Sequence, residues 1–453
     1  MRTYQTYMFW VVLSVLFVVS ACTPNTAYLD EKDDAEALHT AIQAVNDAIV
    51  FDIFSPPVAS RVYAYPSIAA YEGFRNGYPG YKTLAGQLNG LGEVPQPDPD
   101  KEYYYPIVGL TAYLNTGKAL VFSEPDIEDA KVAIMQAYKE KGVPGRVFDN
   151  SVELGEKISN HILAWAKEDN YNETRTFPKF NVTDQEDRWK PTPPAYMEGI
   201  EPHWNKIRPF IIDSATQFIP VRPTAYDMDK GSDFFKEVME VYEVTNELDE
   251  EQTEIASFWD CNPYVVNVQG HVMFATKKIT PGGHWVGITK LACRQEGKNI
   301  MESAEAYMFA TIALADAFIS CWDEKYRSSL IRPETVINQH IDPEWVPLLQ
   351  TPPFPEYTSG HSVISRAAAI SLTHIFGDNF AFNDTTEMAY GLPPRQFDSF
   401  IDASEEAAIS RLYGGIHYRP AIYNGVKQGE KVGNYVIKNI ITREDVAMKE
   451  EEK

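Results

Sequence analysis

The sequence predicts a mainly α-helical protein built from two helical halves. Three observations predict it. Apolar residues recur at spacings of three and four over long stretches, and strand-like alternation is scarce and short. The longest proline-rich irregular segment, 176–203, falls between two helical regions and marks the boundary between them. With 453 residues, 44% of them hydrophobic and 13% aromatic, the chain can bury a substantial core.

The elements follow in order. The opening "MRTYQTYMFWVVLSVLFVVSAC" carries Arg2, an apolar run from Met8 to Val19, and small residues before Cys22. The run is short for a membrane span, so it predicts a lipoprotein signal over 1–21, with cleavage before Cys22 and lipid on its thiol. A buried N-terminal helix is the alternative. Residues 22–34 read as a tether. Leu38, Ile42, Val45, Ile49 and Ile53 predict a helix over 35–53, and similar patterns mark 59–75 and 147–168. The N-terminal half is thus 35–200, and the C-terminal half is 201–453. In the second half, helices are predicted at 232–247 and 299–322, the latter with Met301, Ala304, Met308, Ile312, Ala315, Ile319 and Trp322 on one stripe. Further proline-rich irregular stretches lie at 93–106 and 342–356. Nothing after residue 22 reads as long and apolar enough to span a membrane.

A formal charge of −24 excludes nucleic acid as a partner and makes any anion site notable, since cations must be gathered locally against the general field. Cys261, Cys293 and Cys321 lack CxxC spacing, which argues against zinc. One disulfide stays open, and three core thiols is the favoured reading.

Three segments carry chemistry. In "PPFPEYTSGHSVISRAAAISLTHIFG", prolines lead into Thr358 and Ser359 as N-cap residues of a helix that Gly377 stops. A helix N-terminus offers unpaired N–H groups and the positive end of its dipole, so an anion fits there. Gly360 permits close approach, Ser359 supplies a hydroxyl, and His361 an acid or base. The plain alternative is a cap and a surface histidine. In "WDEKYRSSLIRPE", Lys325 and Arg332 suit an oxyanion, or else a solvated basic patch. In "DASEEAAISRLYGGIHYRP", Asp402 and Glu405 read as a capping box, and Gly414-Gly415 ends the helix so that Arg411 and His417 can converge. Taken together, the three segments describe an oxyanion cradle in an acidic chain.

Lys325-(six)-Arg332-Pro333, Ser359-Gly360-His361 and Ser410-Arg411-(three)-Gly415-x-His417 resemble the shared pattern of type 2 phosphatidic acid phosphatases and vanadium-dependent haloperoxidases. The wider chain is most similar to the bacterial (flavobacterial) vanadium iodoperoxidases. The resemblance implies two four-helix bundles with the catalytic site in the second. It implies vanadate as cofactor and hydrogen peroxide and a halide, iodide, as substrates. His417 would bind vanadium. Lys325, Arg332, Ser359, the Gly360 N–H and Arg411 would hold oxyanion oxygens, and His361 would act as acid–base, with Lys325 assisting oxygen transfer. Trp322, Phe354, Tyr264 and Asp323 are candidates for the halide pocket, or for core. A monomer touching the membrane only through its lipid, in the periplasm or at the outer membrane, is expected.

One departure stands out. Where the pattern continues His-(three)-Asp, this chain has Ala421. The missing carboxylate would orient the histidine, which puts phosphatase activity in doubt more than peroxidase activity. Asp323 and Asp260 are the candidates to replace it. His271 and His284 read as structural rather than as lining the entrance. Besides the peroxidase, two readings remain: a soluble phosphatase with His417 as nucleophile, and an oxyanion-binding lipoprotein without turnover.

Overall fold

The computed structural model describes residues 26–443 except 264, 270, 271 and 276. The signal segment with Cys22, and also Tyr264 and His271, lie outside the described residues. From residue 26 the expected tether is docked instead: Tyr28 packs edge-on against Tyr104 at 5.2 Å, and Tyr104 Oη donates to Tyr28 O at 2.7 Å.

The N-terminal half comprises α1 (Glu36–Phe51), α2 (Pro56–Arg75), α3 (Tyr105–Lys118), α4 (Glu124–Glu140) and α5 (Gly145–Ala166). Ser55 caps α2 by accepting Val58 N–H, and Pro56-Pro57 occupy its first turn, so it starts three residues earlier than periodicity predicts. In the second half come α6 (Asp233–Asn246), α7 (Glu250–Phe258), α8 (Pro281–Gln295), α9 (Ile300–Ser328), α10 (Pro333–His340), α11 (Gly360–Phe376), α12 (Phe400–Tyr413) and α13 (Arg419–Asn439). Two short antiparallel hairpins interrupt them, β1 (Val266–Gln269) with β2 (Val272–Ala275) and β3 (Phe382–Asp384) with β4 (Arg395–Phe397).

Helix α9 is the axis of the molecule. Asn299 and Glu302 form its capping box, and every residue from Ile300 to Lys325 except Glu302 is buried. It packs on α2 of the first half and on α8, α11 and α13 of the second. Contrary to the reading that no segment is apolar enough, α9 has the length and composition of a membrane span. It is apolar all round because neighbours enclose it on every side. Its buried Asp316 accepts N–H bonds from Phe210, Ile211 and Ile212 at 2.7–2.9 Å, which pins the irregular chain following the 176–203 segment.

Two caps differ from expectation. Ser399, not Asp402, caps α12 by accepting Asp402 N–H at 3.0 Å, so the expected box with Glu405 does not form. Ser359 alone caps α11, while Thr358 Oγ1 donates to Gln428 Oε1 at 2.7 Å.

Periodicity misses α13 because Gly425, Gly429 and Gly433 interrupt its stripe. These glycines form the face that meets α11: a Cβ on Gly429 would stand 2.1 Å from Val363 O, and one on Gly433 3.0 Å from Ala367 O. The alanine variant Gly429→Ala is therefore expected to lower stability by about 1–3 kcal/mol in urea unfolding, since the backbones must separate.

Candidate active site

The last turn of α9, the α9–α10 link, the 352–359 loop, the start of α11 and the end of α12 converge on one cavity. Trp322, Phe354, Gly360, His361, Arg411 and His417 are among its lining, whereas Lys325, Arg332 and Ser359 are buried beside it without lining it.

Each side chain arrives for a local reason. Ser329, at φ +48, ends α9 just after Lys325, and Arg332 is the N-cap of α10, with Pro333 next. The expected break at Pro333 thus turns both cations inward. Gly415, at φ +75, reverses the chain after α12, so Arg411 and His417 face the same space.

Lys325, Arg332 and Arg411 are all buried. Lys325 Nζ donates to the carbonyls of Pro355, Glu356 and Thr358 at 2.5–3.1 Å. Arg332 Nε donates to Phe354 O at 2.9 Å and Nη1 to Ile416 O at 2.7 Å. Arg411 donates to Ser410 Oγ at 2.8 Å and Trp259 O at 2.7 Å. These cations therefore also staple the proline-rich loop. Burial pulls Lys325 down to about 7 and both arginines to about 10.

The carboxylate that Ala421 does not supply comes from Glu356. His417 Nδ1 pairs with Glu356 Oε1 at 2.8 Å, and the same oxygen accepts Tyr418 N–H at 3.0 Å. Neither expected substitute does this. Asp323 receives Asn205 Nδ2 and Arg327 Nε at 3.0 and 3.1 Å and does not line the cavity, while Asp260 pairs with Lys278. Burial raises Glu356 to about 8, against the lowering pull of Arg332 and Lys325. Burial first, then Arg332, Lys325 and Arg411, hold His417 well below the usual histidine range, so its ring is neutral. The Glu356 contact puts the ring proton on Nδ1, and the Nε2 lone pair accepts from Arg332 Nη1 at 3.2 Å, a bond that a ligand to Nε2 would replace.

His361 is also held neutral, by burial and then Arg411. One side of its ring bonds the Trp259 backbone, and buried Nε2 has no partner among the described residues. Arg332 Nη2 and Glu356 Oε2 are likewise orphaned. Ser359 Oγ accepts from Ser362 N and Oγ, which leaves its own proton free to donate. A Cβ on Gly360 would meet nothing nearer than Trp322 at 3.7 Å, so glycine keeps space open rather than relieving a clash. Lys325 Nζ and the Arg332 guanidinium sit 5.0 and 5.1 Å from the Phe354 ring centre.

The sum near neutral pH is two charged buried guanidiniums and a partly charged Lys325 against a largely protonated Glu356, with an arginine donor and an imidazole nitrogen unpaired among the described residues. Uncompensated buried charge costs several kcal/mol. A small oxyanion with several acceptor oxygens fits that deficit, and the donor set suits vanadate or phosphate alike. Because Lys325 titrates near 7 in the free site, anion binding must reprotonate it above that pH. The affinity for sulfate, whose charge is constant in this range, is expected to fall by up to about tenfold per pH unit above 7, as followed by calorimetric titration.

The three remaining cysteines are buried, free thiols. His284 is buried against Cys261, Asp384 and Glu387, outside the lining.

The family model of the VCPO second helical-bundle domain matches residues 305–443. The solved structure of the first bacterial vanadium-dependent iodoperoxidase is 52% identical, with a TM-score of 0.86, covering 91% of this chain and 98% of that one. A bacterial vanadium-dependent chloroperoxidase superposes in its holo form with a TM-score of 0.66 at 14% identity, covering 86% of this chain and 93% of that one. Its apo form gives 0.65 at 15% identity, covering 85% and 95%. At such identities these two share the fold alone. No curated protein matches the chain.

Proposed function

The chain belongs to the vanadium-dependent haloperoxidase family, and we propose from that premise that it is an iodide peroxidase. It uses hydrogen peroxide to oxidise iodide to hypoiodous acid, with vanadate as cofactor. The observation that carries the reading is a buried cavity lined by Arg411, His361 and His417, with Arg332 Nη1 3.2 Å from His417 Nε2, in a chain 52% identical over nearly its whole length to an iodoperoxidase.

Vanadium(V), when bound, supplies Lewis-acid activation of peroxide without changing oxidation state. The protein does the rest. Glu356 holds the His417 ring by its Nδ1 proton, so that Nε2 is presented as the vanadium ligand. Arg332, Arg411, Ser359 and the Gly360 N–H would hold the anion's oxygens, and Lys325, its three N–H donors committed to loop carbonyls, would contribute its charge beside them. Neutral His361, with Nε2 unpaired among the described residues, would take up or return a proton there, and Lys325 would stabilise developing negative charge through its own charge. Trp322 and Phe354, with ring centres 5.0 Å apart, form an apolar wall on the halide side.

The test is triiodide formation from iodide and peroxide with and without added vanadate. Strong dependence on vanadate is expected. Hydrolysis of a phosphate monoester that vanadate inhibits, without triiodide, would instead assign the phosphatase reading. With Glu356 on His417, the lack of a carboxylate at Ala421 no longer argues against that reading.

From the N-terminal pattern, we further propose export and a lipid anchor on Cys22. Mass spectrometry of the N-terminal peptide from the membrane fraction checks it, and an unmodified Cys22 there would refute it.

A further inference from the structure

Behind the wall of the active-site cavity, three lone-pair atoms converge from three separate segments. Cys261 follows α7, His284 lies in the first turn of α8, and Glu387 lies in the turn after β3. Cys261 Sγ is 3.4 Å from His284 Nδ1, His284 Nδ1 is 3.1 Å from Glu387 Oε1, and Cys261 Sγ is 3.8 Å from Glu387 Oε1. All three residues are buried.

The other ring nitrogen is already committed. His284 Nε2 lies 2.7 Å from Asp384 Oδ2, and that carboxylate also accepts Thr386 N–H at 2.9 Å. Burial works against its charged form, but Asp384 outweighs it and holds His284 well above the usual histidine range, so without a metal Nδ1 carries a proton toward Glu387 Oε1 and Cys261 Sγ. In the metal-free protein the thiol donates to Glu387 Oε1, and protons hold the cluster together where a metal ion could replace them. A single ion at the centre would replace the Nδ1 and thiol protons together and leave all three lone pairs to the metal.

A tetrahedral zinc ion with bonds of about 2.3 Å to sulfur and about 2.0 Å to nitrogen and oxygen separates its ligand atoms by about 3.3–3.6 Å. The observed edges bracket that range. The histidine also has the carboxylate on its far nitrogen that metal-bound imidazoles usually carry. We propose that Cys261, His284 and Glu387 bind a divalent metal ion of the zinc class, separate from the vanadate site, with Asp384 orienting the histidine. The sulfur ligand disfavours magnesium and calcium, which take oxygen donors. A fourth position is left for water. The expectation that the cysteines exclude zinc looked for CxxC spacing, whereas this set is assembled from three distant segments.

The ion would brace the neighbouring site. Trp259 stacks on His284 at 4.5 Å between ring centres, and its backbone accepts Arg411 and bonds the His361 ring. Cys261 also borders the cavity. In the metal-free protein, burial and Glu387 push the Cys261 thiol up to about 11, so zinc binding must displace protons and tighten with pH.

The full-length protein, stripped with chelator and dialysed against zinc, is assayed by elemental analysis and thermal unfolding. Cobalt(II) is the spectroscopic probe. The expected result is one zinc per chain, a melting temperature that rises with zinc, and a thiolate-to-cobalt charge-transfer band. Cys261→Ser is expected to abolish the band, and Glu387→Gln, which keeps the thiol and the shape, to weaken zinc binding by about 10-fold or more. Wild type that retains less than about 0.1 zinc per chain and melts at an unchanged temperature would overturn the proposal. So would stoichiometric zinc and an intact cobalt band in folded Cys261→Ser. If the serine variant does not fold, equal zinc affinity of Glu387→Gln and wild type would overturn it as well.

Discussion

Vanadate-dependent triiodide formation is expected to collapse when His417 is replaced by alanine, by more than the roughly 10–100-fold that loss of an outer metal partner costs. The reason is geometric. The remaining donors, Lys325, Arg332, Ser359 and Arg411, can attract an oxyanion, but none offers a lone pair to its central atom. The variant should therefore still bind sulfate while losing turnover. Far-ultraviolet circular dichroism and the melting temperature, measured alongside, separate this from unfolding, and unchanged triiodide formation would remove His417 from its assigned role.

The second large effect belongs to Glu356. In Glu356→Gln the side-chain oxygen can still accept from His417 Nδ1 and Tyr418 N–H, so the ring keeps its place. What is lost, above about pH 8 where Glu356 is ionised, is the negative charge beside the ring. His417 Nε2 becomes a weaker donor, and a buried anion that offsets Arg332 and Lys325 disappears. The net expectation is a fall of about 10–100-fold in vanadate-saturated kcat, with a smaller change in KM for iodide. If Glu356 were only a structural link to the Tyr418 backbone, glutamine would replace it with kcat intact and only the melting temperature altered.

Much of this was legible in the amino-acid order. The stripe from Met301 to Trp322 announced α9 because helical periodicity survives when every face is apolar enough to bury. The motif residues Lys325, Arg332, Ser359, Gly360, His361, Arg411 and His417 could be named because their spacings are rigid within short segments.

What was hidden depended on close contact between segments. Gly425, Gly429 and Gly433 read as breakers in isolation and become a helix-packing face only when α11 lies against α13. Glu356 gave no signal at its place among prolines. Its partnership with His417 exists because Lys325 and Arg332 hold the carbonyls of residues 354–358 and so carry that loop across the site. Asp323 and Asp260 were the nearer guesses by sequence, but Asn205, Arg327 and Lys278 occupy them. The start of α2 was missed for the opposite reason, since Pro56-Pro57 signals a break although proline suits a first helical turn.

The most direct test of the account is anomalous diffraction at the vanadium absorption edge from crystals grown with vanadate. It should place a single peak within bonding distance of His417 Nε2, enclosed by Arg332, Arg411, Ser359 and the Gly360 backbone. A vanadium peak elsewhere in the molecule, or none in that cavity at full occupancy of the added anion, would contradict it.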